Sequence, residues 1–393
     1  MIELLAPAGD LEKLKIAYLY GADAVFIGGQ EYSLRARASN FSLEEIKEGA
    51  LFAHNLGKKL YVTANIIPHD ENYEGLVAYL KGLEEAKVDA IIVASPYILD
   101  MAKKHTNLEV HISTQQSVLN HYAVQYFEDK GASRVVLGRE LTTSEIKEVT
   151  QKSHAEIEVF IHGGMCASYS GRCTLSNTFT LRDANRGGCA HSCRWNYDLY
   201  DKSEKISDDT LFSMSSKDLQ SLRFIPSLID AGVHSLKIEG RMKSIHYIAT
   251  VVWVYRMLID EYLKTGKVES FEYYEAEIAK AENRLTKEGF LGEFPNKEFQ
   301  LYNSRSEIPT KTFVGIVLEE SGQFIKVEQR NHFKPNDLLE VFGPGKKPVT
   351  FVVEEIYDTE MNLLDAARHP RQEVLIKIPF KVSPYDLIRK AND

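Results

Sequence analysis

Short apolar runs alternate with segments of helical periodicity along the first 240 residues. Segments 10–22, 42–57 and 143–153 carry apolar residues three or four positions apart, and each opens with an Asp, Ser or Thr suited to cap a helix. Eight β-branched runs have the length of buried strands; they begin near residues 3, 24, 59, 90, 109, 134, 158 and 235. Eight strands alternating with helices predict an α/β fold, a (β/α)8 TIM-like barrel, with an open doubly wound sheet as the alternative.

The pattern changes after the eighth run. Segments 242–266 and 271–289 predict helices, and from residue 310 onward alternating strands are separated by Gly and Pro turns with no helix between them. Such a tail is typical of a small all-β domain. We therefore predict three parts: a TIM-like barrel over 1–265, a helical linker over 266–309, and a small β-barrel or sandwich domain over 310–393.

All four cysteines of the chain lie within 28 consecutive residues; they are Cys166, Cys173, Cys189 and Cys193. Their segment follows the seventh predicted strand and opens an insertion over about 165–234. The insertion therefore leaves the barrel at its C-terminal mouth, where the active sites of this fold lie. Such confinement indicates one shared ligand or crosslink.

The expected compartment bears on what the cysteines do. The first residues show no signal-peptide pattern, and no run of 18 apolar residues occurs, so we expect a cytoplasmic protein without a membrane segment. Cytosolic thiols are kept reduced, which disfavours disulfides. The spacing Cys-x6-Cys-x15-Cys-x3-Cys is a mediocre match to zinc, which usually takes thiolates in close pairs, whereas an iron–sulfur cluster tolerates wider spacings. Iron–sulfur is the favoured ligand, and zinc the alternative.

The charge of the cysteine segment differs from that of the chain. The net charge of −9 argues against a protein that coats nucleic acid. Between Cys166 and Tyr197, however, the segment contains four arginines and only one acidic residue, an aspartate. An anionic partner could therefore dock on this segment.

Polar residues at the predicted strand ends supply the candidate site. A single such residue more often caps a helix or joins an ion pair, but together they mark the barrel mouth. The candidate catalytic residues are Glu239, Arg241 and His162. The candidate substrate-binding residues are Arg35, Arg37, Asn65, Gln115, Arg139, Arg172, Arg182, Arg186, Arg194 and Lys237. Guanidinium groups match carboxylate and phosphate bidentately, which points to an anionic substrate.

Several motifs resemble one known family. The stretches "EVFIHGGMCASYSGRCTLS" (158–176), "HISTQQSVLN" (111–120), "RDANRGGCAHSCRWNY" (182–197) and "GVHSLKIEGRMKS" (232–244) are similar to those of the U32 peptidases, the collagenase-like proteases. Hydrolytic motifs are nevertheless missing: there is no His-Glu-x-x-His, no Gly-x-Ser-x-Gly elbow and no Walker loop.

The resemblance carries functional implications. "RDANRGGC" followed by "CRW" most resembles the branch implicated in tRNA hydroxylation, which makes 5-hydroxyuridine at the wobble position with prephenate. Related branches carry 4Fe-4S clusters on four cysteines, so the resemblance implies that Cys166, Cys173, Cys189 and Cys193 are cluster ligands. It also implies tRNA and the dicarboxylate prephenate as partners, with a paralogous partner protein as a further candidate. The alternatives are a metal-dependent peptidase and a non-catalytic cluster protein that transfers electrons or assembles a complex.

Overall fold

The eight predicted barrel strands form a closed parallel barrel in the computed structural model, which describes residues 2–34, 40–207, 212–281, 284–301 and 311–391. The strands of this part are β1 Glu3–Pro7, β2 Ala24–Gly28, β3 Lys59–Ala64, β4 Ala90–Val93, β5 Glu109–Ile112, β6 Arg134–Val136, β7 Glu156–Gly163, β8 Tyr200–Asp201, β9 Glu204–Lys205, β10 Asp218–Gln220, β11 Ser235–Ile238 and β12 Thr286–Lys287. Strands β1 to β7 pair in sequence, and β11 closes the barrel by pairing with both β7 and β1. The TIM-like prediction is confirmed.

Ten α-helices are found in the described residues; the seventh lies in the cysteine-containing insertion, and the others lie outside the barrel. They are α1 Leu11–Leu19, α2 Leu43–Asn55, α3 Leu76–Glu85, α4 Pro96–His105, α5 His121–Glu128, α6 Thr143–Lys152, α7 Leu175–Thr180, α8 Ile225–Asp230, α9 Ile245–Thr265 and α10 Phe271–Ala279. The predicted cap of α2 is present, whereas α6 is capped by Thr142, one residue before the predicted Thr143. At both caps the hydroxyl accepts the backbone N–H of the glutamate three residues on, and the carboxylate of that glutamate accepts the N–H of the cap residue. Within the described residues, no helix has the length and apolar character needed to cross a bilayer.

The sheet continues beyond the barrel on one side. Strand β10 pairs antiparallel with the C-terminal end of β7, and β12 pairs with β10. In its described residues, the predicted linker therefore contains one α-helix, α10, and a short strand that joins the barrel sheet. This extension fixes the start and end of the cysteine-containing insertion beside the barrel mouth.

The N-terminal end of the barrel interior is filled by an ion network. Lys237 Nζ lies 2.7 Å from Glu158 Oε1, and Arg134 Nη1 lies 3.1 Å from the other oxygen of Glu158. Arg134 also bonds to Glu3, at 2.6 Å. Burial alone would raise the pKa of the fully buried Glu158, but the charges of Lys237 and Arg134 outweigh it and lower the pKa to about 2.

The C-terminal domain is one antiparallel sheet. Its strands are β13 Phe313–Ser321, β14 Phe324–Gln329, β15 Leu338–Phe342, β16 Val349–Val352, β17 Ile356–Tyr357, β18 Leu363–Leu364, β19 Glu373–Lys377 and β20 Leu387–Lys390. In the described chain their order is β16-β15-β20-β13-β14-β19-β17-β18, with β16 and β18 at the edges. The predicted all-β domain is confirmed, and it takes the form of a half-barrel.

The half-barrel packs on the barrel through α1, α9 and α10. Tyr20 Oη donates to the carbonyl of Tyr385 at 2.9 Å, and the buried Arg389 bonds to Glu277 at 2.9 Å. His246 of α9 lies between the rings of Phe313 and Phe342. Buried hydrogen bonds and ring contacts thus join the two parts.

Candidate functional site

A cavity of about 420 Å³ opens at the C-terminal mouth of the barrel, and all four cysteines line it. We call it the cysteine cavity. Its other lining residues include Gln115, Arg139, Gly164, Tyr169, Gly171, Asn185, Gly187, Ser192, Arg194, Asp218, Glu239, Lys243 and Arg284. The insertion therefore returns its cysteines to one place above the barrel, as the sequence predicts.

Two glycines make the close approaches that shape the cavity. Gly163, at the end of β7, has a φ of +104°, and a Cβ there would lie 2.4 Å from the carbonyl oxygen of Glu239. Gly171 has a φ of +75°, and its Cβ would lie 2.2 Å from the carbonyl oxygen of Gln115. Only glycine fits both the backbone conformation and the space at these positions. The insertion is thereby held against the loops that follow β5 and β11.

The four thiols are free and surround the cavity rather than forming pairs. Cys166 and Cys189 are exposed as residues, whereas Cys173 and Cys193 are half-buried. Burial raises the pKa of the Cys166 and Cys193 thiols. Across the described ranges, no three His, Cys, Asp or Glu side chains form a group that could hold a single metal ion. The four thiols thus line one cavity without being paired to each other.

Two buried polar atoms beside the thiols have no hydrogen-bond partner among the described residues: Ser192 Oγ and Arg194 Nη1. Leaving such donors unsatisfied is costly, so they point to an acceptor that occupies the cavity. The sulfides and thiolates of an iron–sulfur cluster are acceptors of this kind. Cysteine ligands, close glycine backbone and unsatisfied donors together fit such a group.

Cationic side chains accompany the thiols. Arg194 Nη2 donates to the carbonyl of Met165 at 3.3 Å and lies 3.9 Å from Asp218 Oδ1. Arg284 Nη1 lies 3.5 Å from the same oxygen of Asp218. Two guanidinium groups therefore converge on one carboxylate at the cavity wall, an arrangement that also suits a carboxylate of a ligand.

The comparisons with known proteins give the family. A model of peptidase family U32 matches residues 9–301, and a model of the U32 C-terminal domain matches residues 309–389. The chain belongs to peptidase family U32.

Relatives of this U32 protein carry different names. It is 51% identical over 400 residues to tRNA hydroxylation protein P1 of Bacillus subtilis (strain 168), covering 99% of this chain and 94% of that protein. The 23S rRNA 5-hydroxycytidine C2501 synthase of Escherichia coli (strain K12) is 40% identical over 259 residues, covering 66% of this chain and 39% of that protein. A collagenase of Porphyromonas gingivalis (strain ATCC BAA-308 / W83) is 31% identical over 403 residues, covering 98% of this chain and 96% of that protein.

The three predicted catalytic residues have different environments in the U32 chain. Glu239 lines the cysteine cavity, and its Oε2 accepts the N–H of Gly240 at 2.8 Å. Arg241 is buried and donates to Ser33 and Asn40, so it joins the loop after β2 to the loop after β11. His162 lies behind the cavity, 3.3 Å from Tyr255 Oη. Burial, reinforced by the charge of Lys243, lowers the pKa of His162 to about 3, so this histidine is neutral near pH 7.

The predicted substrate-binding residues divide into five groups. Gln115, Arg139 and Arg194 line the cysteine cavity. Asn65 and Lys237 are engaged inside the barrel, Asn65 with Leu34 and Ser113, and Lys237 with Glu158. Arg172 is exposed on the insertion, while Arg182 and Arg186 line a second cavity. Arg35 and Arg37 lie outside the described residues.

Sequence reasoning missed three charged residues of the cysteine cavity: Asp218, Lys243 and Arg284. Lys243 lies within the motif at 232–244 and Asp218 within the segment "SSKDL" at 215–219, but their spacing alone assigns no role. Arg284 lies in the predicted linker. It reaches the cavity because β12, which follows it, pairs with β10.

The second cavity, of about 610 Å³, lies beside the first and is called the side cavity. It is lined by residues 30–33 after β2, by residues from 66 to 74 after β3, and by residues of the insertion between 181 and 188. Arg186 donates to Glu71 at 2.6 Å and to Asn72 at 3.0 Å, so the insertion is tied to the loop after β3.

Proposed function

We propose that this protein hydroxylates tRNA, converting the wobble uridine to 5-hydroxyuridine, with a 4Fe-4S cluster on Cys166, Cys173, Cys189 and Cys193 and with prephenate as co-substrate. The observation that carries the proposal is the cysteine cavity itself. Four free thiols, converging guanidinium groups and a carboxylate line one opening at the barrel mouth. Relatives named for tRNA and ribosomal RNA hydroxylation support the choice of substrate. The cytoplasm is the compartment that this substrate implies.

The spacing of the cysteines favours a cluster over zinc. Structural zinc usually takes thiolates in pairs two to four residues apart, and only Cys189 and Cys193 come close to that spacing. A cluster presents its iron atoms at separate corners, so its four thiolates lie around a volume. The buried donors Ser192 Oγ and Arg194 Nη1 would then have acceptors.

The proposed reaction is an oxidation. With water as the oxygen donor, uridine and water give 5-hydroxyuridine, two protons and two electrons: the C5–H bond and one O–H bond of water break, a C–O bond forms, and a one-electron carrier protein takes the two electrons in turn. An iron–sulfur cluster, when bound, supplies one-electron transfer. The chain's own part is to hold the reactants and to accept a proton. Of the two carboxylates at the cavity, Asp218 lies beside Arg194 and Arg284, so we assign the proton to Glu239.

The cationic lining suits an anionic co-substrate. Prephenate carries two carboxylates, and guanidinium groups bind carboxylates through paired hydrogen bonds. Arg194 and Arg284, which already converge on Asp218, are the residues we assign to this contact. Exposed aromatic side chains on the insertion, Tyr169 and Trp195, offer stacking surfaces for an unpaired RNA base.

The test combines metal analysis with nucleoside analysis. Protein purified without oxygen is expected to hold about four irons and four sulfides, and Cys189→Ala is expected to lose them. Ser168→Ala, on the same loop, is the matched control and is expected to retain the cluster. A deletion strain complemented with each variant is then assayed for tRNA 5-hydroxyuridine, which only the wild type and the control should restore.

Two results would contradict the proposal. One zinc per chain without sulfide would make the cysteines a structural clamp and would favour the metal-dependent peptidase. The second result is a purified protein with a complete cluster together with a deletion strain whose tRNA still contains 5-hydroxyuridine. It would favour a non-catalytic cluster protein.

A further inference from the structure

The side cavity shares a wall with the cysteine cavity. Residues 183–189 of the insertion form much of this wall, and Ser33 and Leu34 after β2 also lie between the two cavities. Along the segment, Asp183, Arg186 and Gly188 line the side cavity, whereas Asn185 and Cys189 line the cysteine cavity. Along residues 183–189, only one stretch of polypeptide chain thus lies between a ligand in one cavity and a ligand in the other.

Backbone and side-chain bonds hold this wall in place. The carbonyl of Asn185 accepts from Ile67 N at 3.0 Å, and its side chain donates to the carbonyl of Cys173 at 3.2 Å. Arg186 bonds to Glu71 and Asn72 on the loop after β3. The two cavities therefore keep a fixed relation, which a substrate spanning both would need.

The lining of the side cavity suits a nucleobase rather than a second anion. Among the carboxylates of the lining, Glu71 is paired with Arg186 and Asp183 accepts the N–H of Asn185, while Glu31 and Glu74 are further lining carboxylates. Tyr32, Ile66 and the highly exposed Leu181 add apolar surface. Carboxylates accept hydrogen bonds from the amino groups of bases and repel phosphate. The volume lies within the range of small-molecule sites, about 300–1,000 Å³.

We propose that the side cavity binds the nucleobase next to the one that reacts, that it selects a base with an exocyclic amino group, and that the exposed Arg182 contacts the phosphate between the two nucleotides. This inference rests on the proposed RNA substrate and adds a recognition site to it. The dividing wall would stand between two successive bases that are splayed apart, as single-stranded RNA allows. Glu31 accepts the amino hydrogen bond, and Leu181 packs against the base.

Equilibrium binding of RNA hairpins to the cluster-containing protein tests the inference. The hairpins carry the target uridine in the loop, and the nucleotide on its 5′ or 3′ side is A, C, G, U or an abasic residue. On one of the two sides, we expect an abasic residue to weaken binding about tenfold and uracil to bind less tightly than the amino bases. On the other side, we expect little dependence on the base.

Two variants separate base contact from phosphate contact. Glu31→Gln is expected to abolish the preference for amino bases, because an amide no longer acts as a pure acceptor. Arg182→Ala is expected to weaken every hairpin severalfold and to reduce the salt dependence of binding by about one ion. Glu85→Gln and Lys104→Ala, exposed at the C-terminal ends of α3 and α4 on the opposite face of the barrel, are the matched controls and are expected to change neither property.

The outcomes distinguish this inference from the proposed function. Formation of 5-hydroxyuridine with no dependence on either neighbouring base would overturn the inference and leave the function intact. A strong dependence on one neighbour, abolished by Glu31→Gln, would support the inference even if no hydroxylated product formed. If Glu31→Gln left all RNA binding unchanged but weakened binding of a lysine-rich peptide, the cavity would belong to a protein substrate and the inference would fail.

Discussion

Acid stability of the contact between the barrel and the half-barrel depends on His246. This side chain is 5% exposed between the rings of Phe313 and Phe342, and its Nε2 has no hydrogen-bond partner in the described structure. Burial, reinforced by the charges of Arg389 and Lys280, lowers the pKa of His246 from 6.5 to about 3. The folded protein therefore keeps this histidine neutral at pH values where the unfolded chain protonates it.

The size of the effect follows from the two pKa values. As the pH falls below about 6.5, the unfolded state binds a proton that the folded state does not, so stability is full above that pH and declines below it. Between about pH 7.5 and about pH 5, the loss from His246 alone is about 2 kcal/mol of unfolding free energy. It continues until the pH approaches about 3.

Replacement by phenylalanine tests this reasoning, because His246→Phe keeps an aromatic ring between Phe313 and Phe342 and removes the titrating group. Urea unfolding of both proteins is measured at about pH 7.5 and at about pH 5. The wild type is expected to lose about 2 kcal/mol more than the variant over this interval. His332→Phe, at an exposed position, controls for the substitution. Equal pH dependence of the wild type and His246→Phe would refute the account.

Three further predictions concern the site and its support. Lys237→Met leaves the fully buried Glu158 without its lysine partner and is expected to cost about 3 kcal/mol in urea unfolding; unchanged stability would contradict a structural role for the pair. Gly171→Ala forces a Cβ against the carbonyl of Gln115 and is expected to lower iron content and thermal stability together, whereas a normal iron content would argue against a close approach there. Arg186→Ala is expected to change stability by less than about 1 kcal/mol yet to increase proteolysis within 183–189; an unchanged cleavage rate would show that other bonds hold the wall.

The barrel was predictable because its strands are short β-branched runs with capped helices between them. The sheet extension was not, since β10 and β12 have only three and two residues and exist through pairing with β7 and with each other. Local pattern carries no information on such pairing. Arg284 was overlooked for this reason.

The candidate site was predictable in part. Four cysteines in one segment indicate a common site wherever the insertion folds, and the structure places them around one cavity. The interaction partners of a charged residue near a strand end, in contrast, lie on neighbouring strands and loops that are distant in sequence. Lys237 pairs with Glu158 across β11 and β7, and Arg241 bonds to the loop after β2, so both are engaged in internal contacts. Sequence separations of 79 and 208 residues hide these partners from any local reading.

The ion network at the N-terminal end of the barrel bears on the order in which co-substrate and RNA bind. Arg134, Glu158 and Lys237 cross the interior, and the rings of Phe26 and Phe160 lie against the ammonium group of Lys237. The cysteine cavity opens at the barrel mouth, on the side where we propose that RNA binds. If bound RNA covers this opening, a small co-substrate enters before the RNA, so binding is ordered and excess RNA is expected to inhibit turnover at low co-substrate concentration.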